Sequence, residues 1–183
     1  LKLQLALLKQ QDLAKKMGED IEEMEKMLNE YLEFSRNQKN EETEEVYLNN
    51  IIKDLVKKYN NKSIDISIEE NLKINIRPNS IKRCLSNLID NGLSYGKKVK
   101  ISANKTQKKI SIFIDDDGVG IHKNEYQNVM KPFYRIDKSR GQNKSGVGLG
   151  LSIANDIIRS HGGSIEFEKS YLDGLRVKIS LPL

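Results

Sequence analysis

Apolar and polar positions follow two different periods along the chain. Leu1, Leu5 and Leu8 recur at helical spacing, and so do Ile21, Met24, Leu28, Tyr31 and Leu32 after "KQQD", which predicts two helices joined by a short connector over residues 1 to about 36. In "GEDIEEMEKMLNEYLEF" an apolar stripe runs between acidic and basic positions, as in an antiparallel helical hairpin that needs a further partner to bury its seam. Homodimerisation into a four-helix bundle meets that need; packing of the hairpin on its own domain is the alternative. The stretch "SRNQKNEETEE" then reads as a linker, because nothing in it packs a core.

From about Val46 the pattern changes. A helix is expected at about 48–60, strands at "SIDISI" and "LKINI", a helix from about Asn79 to Ser94, and strands at about 98–103 and 109–115. A helix from about Val147 to Ser160 and a hairpin over "SIEFEKS" and "LRVKISL", turned by "YLDG", complete the chain. This order predicts a layered α/β domain with a mixed sheet over 46–183, preceded by the hairpin domain over 1–40. Between "DDDGVGI" and "GVGLGL" lie two dozen residues, far more than ordinary connections, and "KPFYRIDKSRGQNKS" within them is rich in lysine and arginine. Such a segment suits a lid over phosphate; an insertion without function is the alternative.

Composition narrows the class. With 183 residues, 37% apolar and 31% charged, the chain can bury a real core. Its formal charge of +5 comes from dispersed lysines, without the dense basic block of a nucleic-acid footprint, and suits an anionic small ligand. Cys84 is the single cysteine, so no internal disulfide or cysteine-rich zinc site is available. No apolar run approaches the roughly 20 residues of a bilayer span, so the expected location is cytosolic. The chain begins at Leu1 in mid-pattern and is expected to be a fragment, whose missing part has room for membrane spans.

Three stretches carry candidate chemistry. "SIFIDDDGVGI" ends a β-branched run in three aspartates, but adjacent residues on a strand point to alternate sides, so at most one or two face the same ligand. "GVGLGL" runs into the apolar helix "SIANDII"; alternating glycines let backbone N–H groups approach an anion, and a helix N-terminus favours it. No strand immediately precedes it and no Walker lysine follows, so a glycine-rich turn without ligand remains equally open. On "IKRCLSNLIDNGLSYG", Asn87 and Asn91 share a helix face, and their amide oxygens are hard ligands suited to Mg²⁺. Amides that only bond loop backbone are the other reading.

"NLIDNGLSYG", "DDDGVGI", "KPFYR" and "GVGLGLSIA" together resemble, in order and spacing, the asparagine, first glycine, phenylalanine and second glycine boxes of sensor histidine kinases. The resemblance covers residues 46–183; the preceding hairpin resembles the latter part of the family's dimerisation and histidine-phosphotransfer domain, and "DIEEMEKMLNEYLEFSR" most resembles that of EnvZ-like osmosensor kinases. It implies the Bergerat-type ATP-binding α/β sandwich: a mixed sheet on three helices, with ATP and Mg²⁺ between helix and lid. Asp116 then accepts from the adenine amino group while Gly118 and Gly120 turn the chain beneath the base. Asn91 holds Mg²⁺, Asn87 lies against the phosphates, Tyr95 sits near the nucleotide, and Arg135 reaches the γ-phosphate. The backbone of Gly146, Val147, Gly148, Leu149 and Gly150 forms the second glycine box. Phe133 is expected as a hydrophobic latch, Lys97, Lys98 and Lys144 as solvated, and Asp115 and Asp117 as solvated or turn-forming.

Two departures refine what the resemblance implies. Related ATPases of the gyrase, chaperone and mismatch-repair types carry a water-activating glutamate where this chain has Asn87, which is no base, so transfer to a protein histidine is expected in place of hydrolysis. The phosphoacceptor box is absent: His122 opens the lid, and His161 in "SHGGSI" suits a capping or surface role. The acceptor is expected upstream of Leu1, so this fragment is not expected to phosphorylate itself. Expected partners are a second copy through the hairpin and a response regulator, and not nucleic acid or, for the fragment, a membrane. A degenerate ATP-binding scaffold and a serine-directed anti-sigma type kinase are the rival readings; intact boxes speak against the first and the hairpin against the second.

Overall fold

A computed structural model describes residues 41–59, 63–69, 71–136 and 148–183, together with 13–15, 17–18, 21–22, 24–25 and 28. The chain divides into two units, Leu1–Asn40 and Glu41–Leu183. The described residues of the first are helical, and Leu13, Met17, Ile21, Met24 and Leu28 present one exposed apolar stripe. Most of the expected hairpin, including Leu1, Leu5, Leu8, Tyr31 and Leu32, lies outside the described residues.

The second unit is a two-layer α/β sandwich. Its elements are β1 (Glu44–Tyr47), α1 (Leu48–Val56), β2 (Ser63–Ile68), β3 (Lys73–Ile76), α2 (Pro78–Tyr95), β4 (Lys98–Lys105), β5 (Lys109–Asp116), α3 (Gly150–Ser160), β6 (Ser164–Lys169) and β7 (Leu175–Pro182). Five strands form a mixed sheet in the order β2-β4-β5-β7-β6, with β2 parallel to β4 and every other pair antiparallel. Alternation puts Val99, Ile101, Ile110, Ile112, Ile114, Val177 and Ile179 on one face, all buried. Register aligns Ile101 with Ile114 and Ile114 with Val177, so the face is one apolar surface. The three helices supply its cover through Ile52 and Leu55 of α1, Ile81, Leu85, Leu88 and Ile89 of α2, and Ile153, Ile157 and Ile158 of α3. Among the described residues no helix is long and apolar enough to cross a membrane.

The unit begins ahead of the expected Val46. Residues 44–47, of which Glu44 and Glu45 read from sequence as linker, pair antiparallel with β3 through Glu44↔Ile76 to Tyr47↔Lys73. Glu41 is also structural. Helix α2 starts with Pro78 at a position that needs no N–H and has no capping side chain of its own. The Glu41 carboxylate takes the cap role, accepting from Asn79 N at 2.5 Å, Ser80 N at 3.0 Å and Ser80 Oγ at 2.6 Å. At the other end of the pairing, His161 follows α3: its Nδ1–H donates to Ile157 O at 2.7 Å and its Nε2 accepts from Arg77 N at 3.1 Å. One neutral imidazole tautomer thus ties the end of α3 to the start of α2, a capping role as expected.

Candidate functional site

Asp116 ends β5 on the inward face and is 6% exposed. Its Oδ1 accepts two backbone bonds, from Gly118 N at 2.9 Å and Leu175 N at 3.0 Å, and neither uses Oδ2. Burial pushes its carboxyl above the usual carboxylate range, against the lowering effect of those two N–H groups. The neighbouring aspartates face away, and their fates differ. Asp117 forms a turn, its Oδ1 accepting from Lys97 N at 2.6 Å and Lys98 N at 2.8 Å, and those bonds hold its carboxyl below the usual range. Asp115, expected to be solvated or turn-forming, is instead 1% exposed. Arg176 donates to both its oxygens, at 2.8 and 3.1 Å, and Ser170 Oγ donates at 2.9 Å. The cause is the β5–β7 register, which sets Asp115 opposite Arg176.

Close backbone approach builds the rest of this end of the sheet. A Cβ on Gly92 of α2 would lie 2.9 Å from Val99 Cγ2, 3.3 Å from Asp116 Cβ and 3.7 Å from Asp116 Oδ2. One on Gly96 would meet Asp117 Oδ1 at 2.5 Å, and one on Gly118 would meet the Tyr95 carbonyl at 2.9 Å. The absence of side chains at these positions lets α2 and the strand end touch. Gly120 follows in a left-handed conformation, φ 69°.

Further along α2, Asn87 and Asn91 are both half-buried. Asn87 Nδ2 donates to Gly150 O at 3.3 Å, which joins α2 to the first residue of α3. Gly148 has φ 77° and packs where a Cβ would come 3.0 Å from Tyr134 O, while Phe133 N donates to Gly148 O at 3.0 Å. The left-handed turn at Gly148 keeps it out of the helix, so α3 starts at Gly150, later than the expected Val147. Leu149 is buried, and its carbonyl accepts from Ile153 N and Ser152 Oγ, both at 2.9 Å. Gly146 and Val147 of the expected glycine box, and Lys144, lie outside the described residues.

The first part of the long connection is more tightly built than a lid need be. Glu125 Oε2 accepts from Tyr134 Oη at 2.6 Å and from Asn128 Nδ2 at 3.2 Å, Lys131 Nζ donates to Asn128 Oδ1 at 2.8 Å, and Tyr126 packs its ring against Phe167 with centroids 5.4 Å apart. Phe133 is 58% exposed with φ 63°, a strained backbone for an aromatic residue. Arg135 follows, half-buried, and Tyr95 closes α2 with its ring exposed.

The structure therefore sets Asp116 and Gly118 at the end of β5 beside Tyr95 at the end of α2, and joins Asn87 in the middle of α2 to Gly150 at the start of α3, with Asn91 on the same α2 face. Gly92, Gly96, Gly174 and Leu175 belong to the arrangement as well, although no motif in the sequence singles out their contacts. Their signal is pairwise, between elements distant in sequence. Among the described residues no group of three or more His, Cys, Asp or Glu is placed to hold a metal ion.

Comparison with known proteins bears on the family and the fold. Over all its length the chain is 30% identical to the sensor histidine kinase GtrS of Pseudomonas aeruginosa, spanning 38% of that protein. Over 58% of its length it is 37% identical to the sensor histidine kinase CpxA of Escherichia coli, spanning 23% of it. Among solved structures, the catalytic domain of histidine kinase ThkA matches with a TM-score of 0.65 at 26% identity over 77% of this chain and 97% of that one. The histidine kinase domain of the E. coli osmosensor EnvZ matches with a TM-score of 0.58 at 28% identity, over 76% of this chain and 88% of that one. Residues 76–183, more than half of the chain and including α2, β5 and α3, match the family model described as histidine kinase-, DNA gyrase B- and HSP90-like ATPase, and the chain belongs to that family.

Proposed function

We propose that this unit binds ATP with Mg²⁺ and transfers the γ-phosphoryl group to a protein histidine, from which a response-regulator aspartate is then supplied. The observation that carries the reading is the Asp116 carboxylate, buried, fixed by Oδ1, and with Oδ2 beside Gly92 unused by the two bonds that hold it. An acceptor in that setting pairs with the exocyclic N–H₂ of adenine and rejects guanine, which presents an oxygen there. Gly118 and Gly120 keep the chain beneath the base free of side chains, and Tyr95 flanks it.

The glycines at the start of α3 suit the polyphosphate, since Gly148 and Gly150 place no side chain beside a helix N-terminus that has no side-chain cap. Gly146, Val147 and Leu149 belong to the same glycine box in the sequence. Asn91 supplies an amide oxygen for Mg²⁺, and Asn87 holds α2 against Gly150 with its own amide. Arg135 provides a cation for the γ-phosphate. When bound, Mg²⁺ neutralises charge on the β- and γ-phosphate oxygens. Asn87 has no basic group to activate water, which favours transfer over hydrolysis. In the wider protein the helical stripe of the first unit would pair with a second copy, and this portion would be the cytosolic part of an inner-membrane sensor.

The test is transfer in trans. The chain is mixed with a separate histidine-containing dimerisation domain and γ-labelled ATP, and the expected result is acid-labile label on that domain, lost when Asp116 is changed to Asn. ATP binding without any label transfer would replace the kinase reading with that of a binding scaffold.

A further inference from the structure

The turn between β6 and β7, "YLDG", reads from sequence as a plain hairpin connection. In the fold it is pressed against the end of β5. A Cβ on Gly174 would overlap Asp116 Oδ1 and come within 2.5 Å of both the Asp116 carbonyl oxygen and Gly118 N. The next residue supplies the Leu175 N–H that donates to Asp116 Oδ1 at 3.0 Å. The turn is itself closed by Ser170 N donating to Gly174 O at 3.0 Å and Asp173 N donating to Ser170 O at 3.1 Å, with Asp173 in a left-handed conformation, φ 74°. Ser170 Oγ fastens it a second time, donating to Asp115 at 2.9 Å while accepting from Leu172 N at 3.0 Å. One turn thus grips both buried aspartates.

A carboxylate's terminal torsion is broad and roughly two-fold, so burial alone does not decide which oxygen faces a ligand. Two backbone donors converging on one oxygen do decide it. We propose that the β6–β7 turn is the positioning element for base selection: Gly174, by having no side chain, and the Leu175 N–H hold Asp116 by Oδ1 so that Oδ2 is presented to a 6-amino purine. This rests on the nucleotide reading above and adds to it a residue outside the four boxes. The advantage is preorganisation, since an acceptor already aligned loses little freedom on binding.

The experiment compares two nucleotides on the 183-residue chain. Mg²⁺·ATP and Mg²⁺·purine riboside triphosphate, which lacks the 6-amino group, are titrated by calorimetry into the wild type and into Gly174→Ala. One hydrogen bond to a charged acceptor corresponds to about tenfold or more, so the wild type should prefer ATP by at least that factor. In Gly174→Ala the preference should collapse to within about twofold, while affinity for the analogue stays within about twofold of wild type. A variant that keeps the full preference, or loses both nucleotides equally, overturns the proposal and leaves the nucleotide reading standing. A wild type without preference overturns both. If Gly174→Ala does not fold, the wild type decides by NMR: the Leu175 amide proton should shift as Asp116 ionises and lose that response in Asp116→Asn, and a Leu175 amide insensitive to pH overturns the proposal.

Discussion

Replacing Arg176 by methionine removes a guanidinium and its donors while keeping a flexible apolar stem of similar length. Asp115, 1% exposed in the native structure, would then keep Ser170 Oγ as its side-chain donor among the described residues, having lost bonds of 2.8 and 3.1 Å. Leaving a buried charge unpaired costs about 3–5 kcal/mol. Arg176 is itself 27% exposed, so water reaches part of the vacated space, which favours the lower end, about 3 kcal/mol. The guanidinium also lies 5.3 Å from the Phe113 ring centroid and 5.5 Å from that of Tyr171, contacts that methionine sulfur replaces in part. Urea denaturation should show a lower midpoint at an unchanged slope, and thermal melting a fall of about 10 °C. Asp115→Asn in the Arg176→Met background should recover part of the loss, because a neutral amide no longer needs the cation. A loss below about 1 kcal/mol, or additive effects of the two substitutions, would refute the view that a buried ion pair pins β5 to β7.

His161 gives the second expectation. Burial, with Arg77 nearby, lowers its pKa and keeps it neutral, so the stability it contributes is present above its unfolded value of about 6.5 and lost as pH falls through the folded one. Denaturation between pH 7 and 5 should show falling stability, and His161→Gln should flatten that slope; Asp116, whose pKa is raised, contributes with the opposite sign and only nearer its own range. Glu41→Ala should cost about 1 kcal/mol by removing the cap of α2, read from the urea midpoint, with Glu41→Gln intermediate because it keeps an acceptor. Asn91→Ala should weaken ATP binding in calorimetry with Mg²⁺ and leave the metal-free affinity little changed; equal loss in both would remove Asn91 from the metal.

Periodicity made most of the fold legible. Strands such as "SIFID" bury one face and therefore alternate, and α2 and α3 bury stripes at helical spacing, so local pattern and tertiary role agree. β1 was hidden because "EEVY" has a half-buried valine and otherwise exposed residues; its place comes from backbone pairing with β3, which composition does not encode. Glu41 was hidden for a related reason, since it caps a helix 38 residues further on. For the aspartates, strand alternation puts Asp116 on the opposite side of the chain from its neighbours, but facing away from the helices did not mean facing water for Asp115. Only the non-local β5–β7 register brings Arg176 to it.

The same distinction divides the candidate site. Around Asp116, glycines at 92, 96, 118 and 174 come from α2, its end, the β5 turn and the β6–β7 turn, and at each a Cβ would meet another element at 3.0 Å or less. Contacts of that kind leave few alternative arrangements, because interiors packed to contact have no slack. The Phe133 and Gly148 side shares one such contact, from a Gly148 Cβ to Tyr134 O at 3.0 Å, and adds the Phe133 N–H to Gly148 carbonyl bond between two residues in left-handed conformations, but leaves the phenyl ring exposed. Base selection needs a fixed acceptor, whereas delivery of a phosphoryl group to another protein needs a surface that can rearrange around the acceptor. On that ground, substitutions at the glycines around Asp116 should change which nucleotide binds, and substitution of Phe133 by leucine should leave ATP affinity within a fewfold while lowering the rate of transfer in trans. Equal losses in binding and transfer for Phe133→Leu would show that the two ends of the site are not separable in this way.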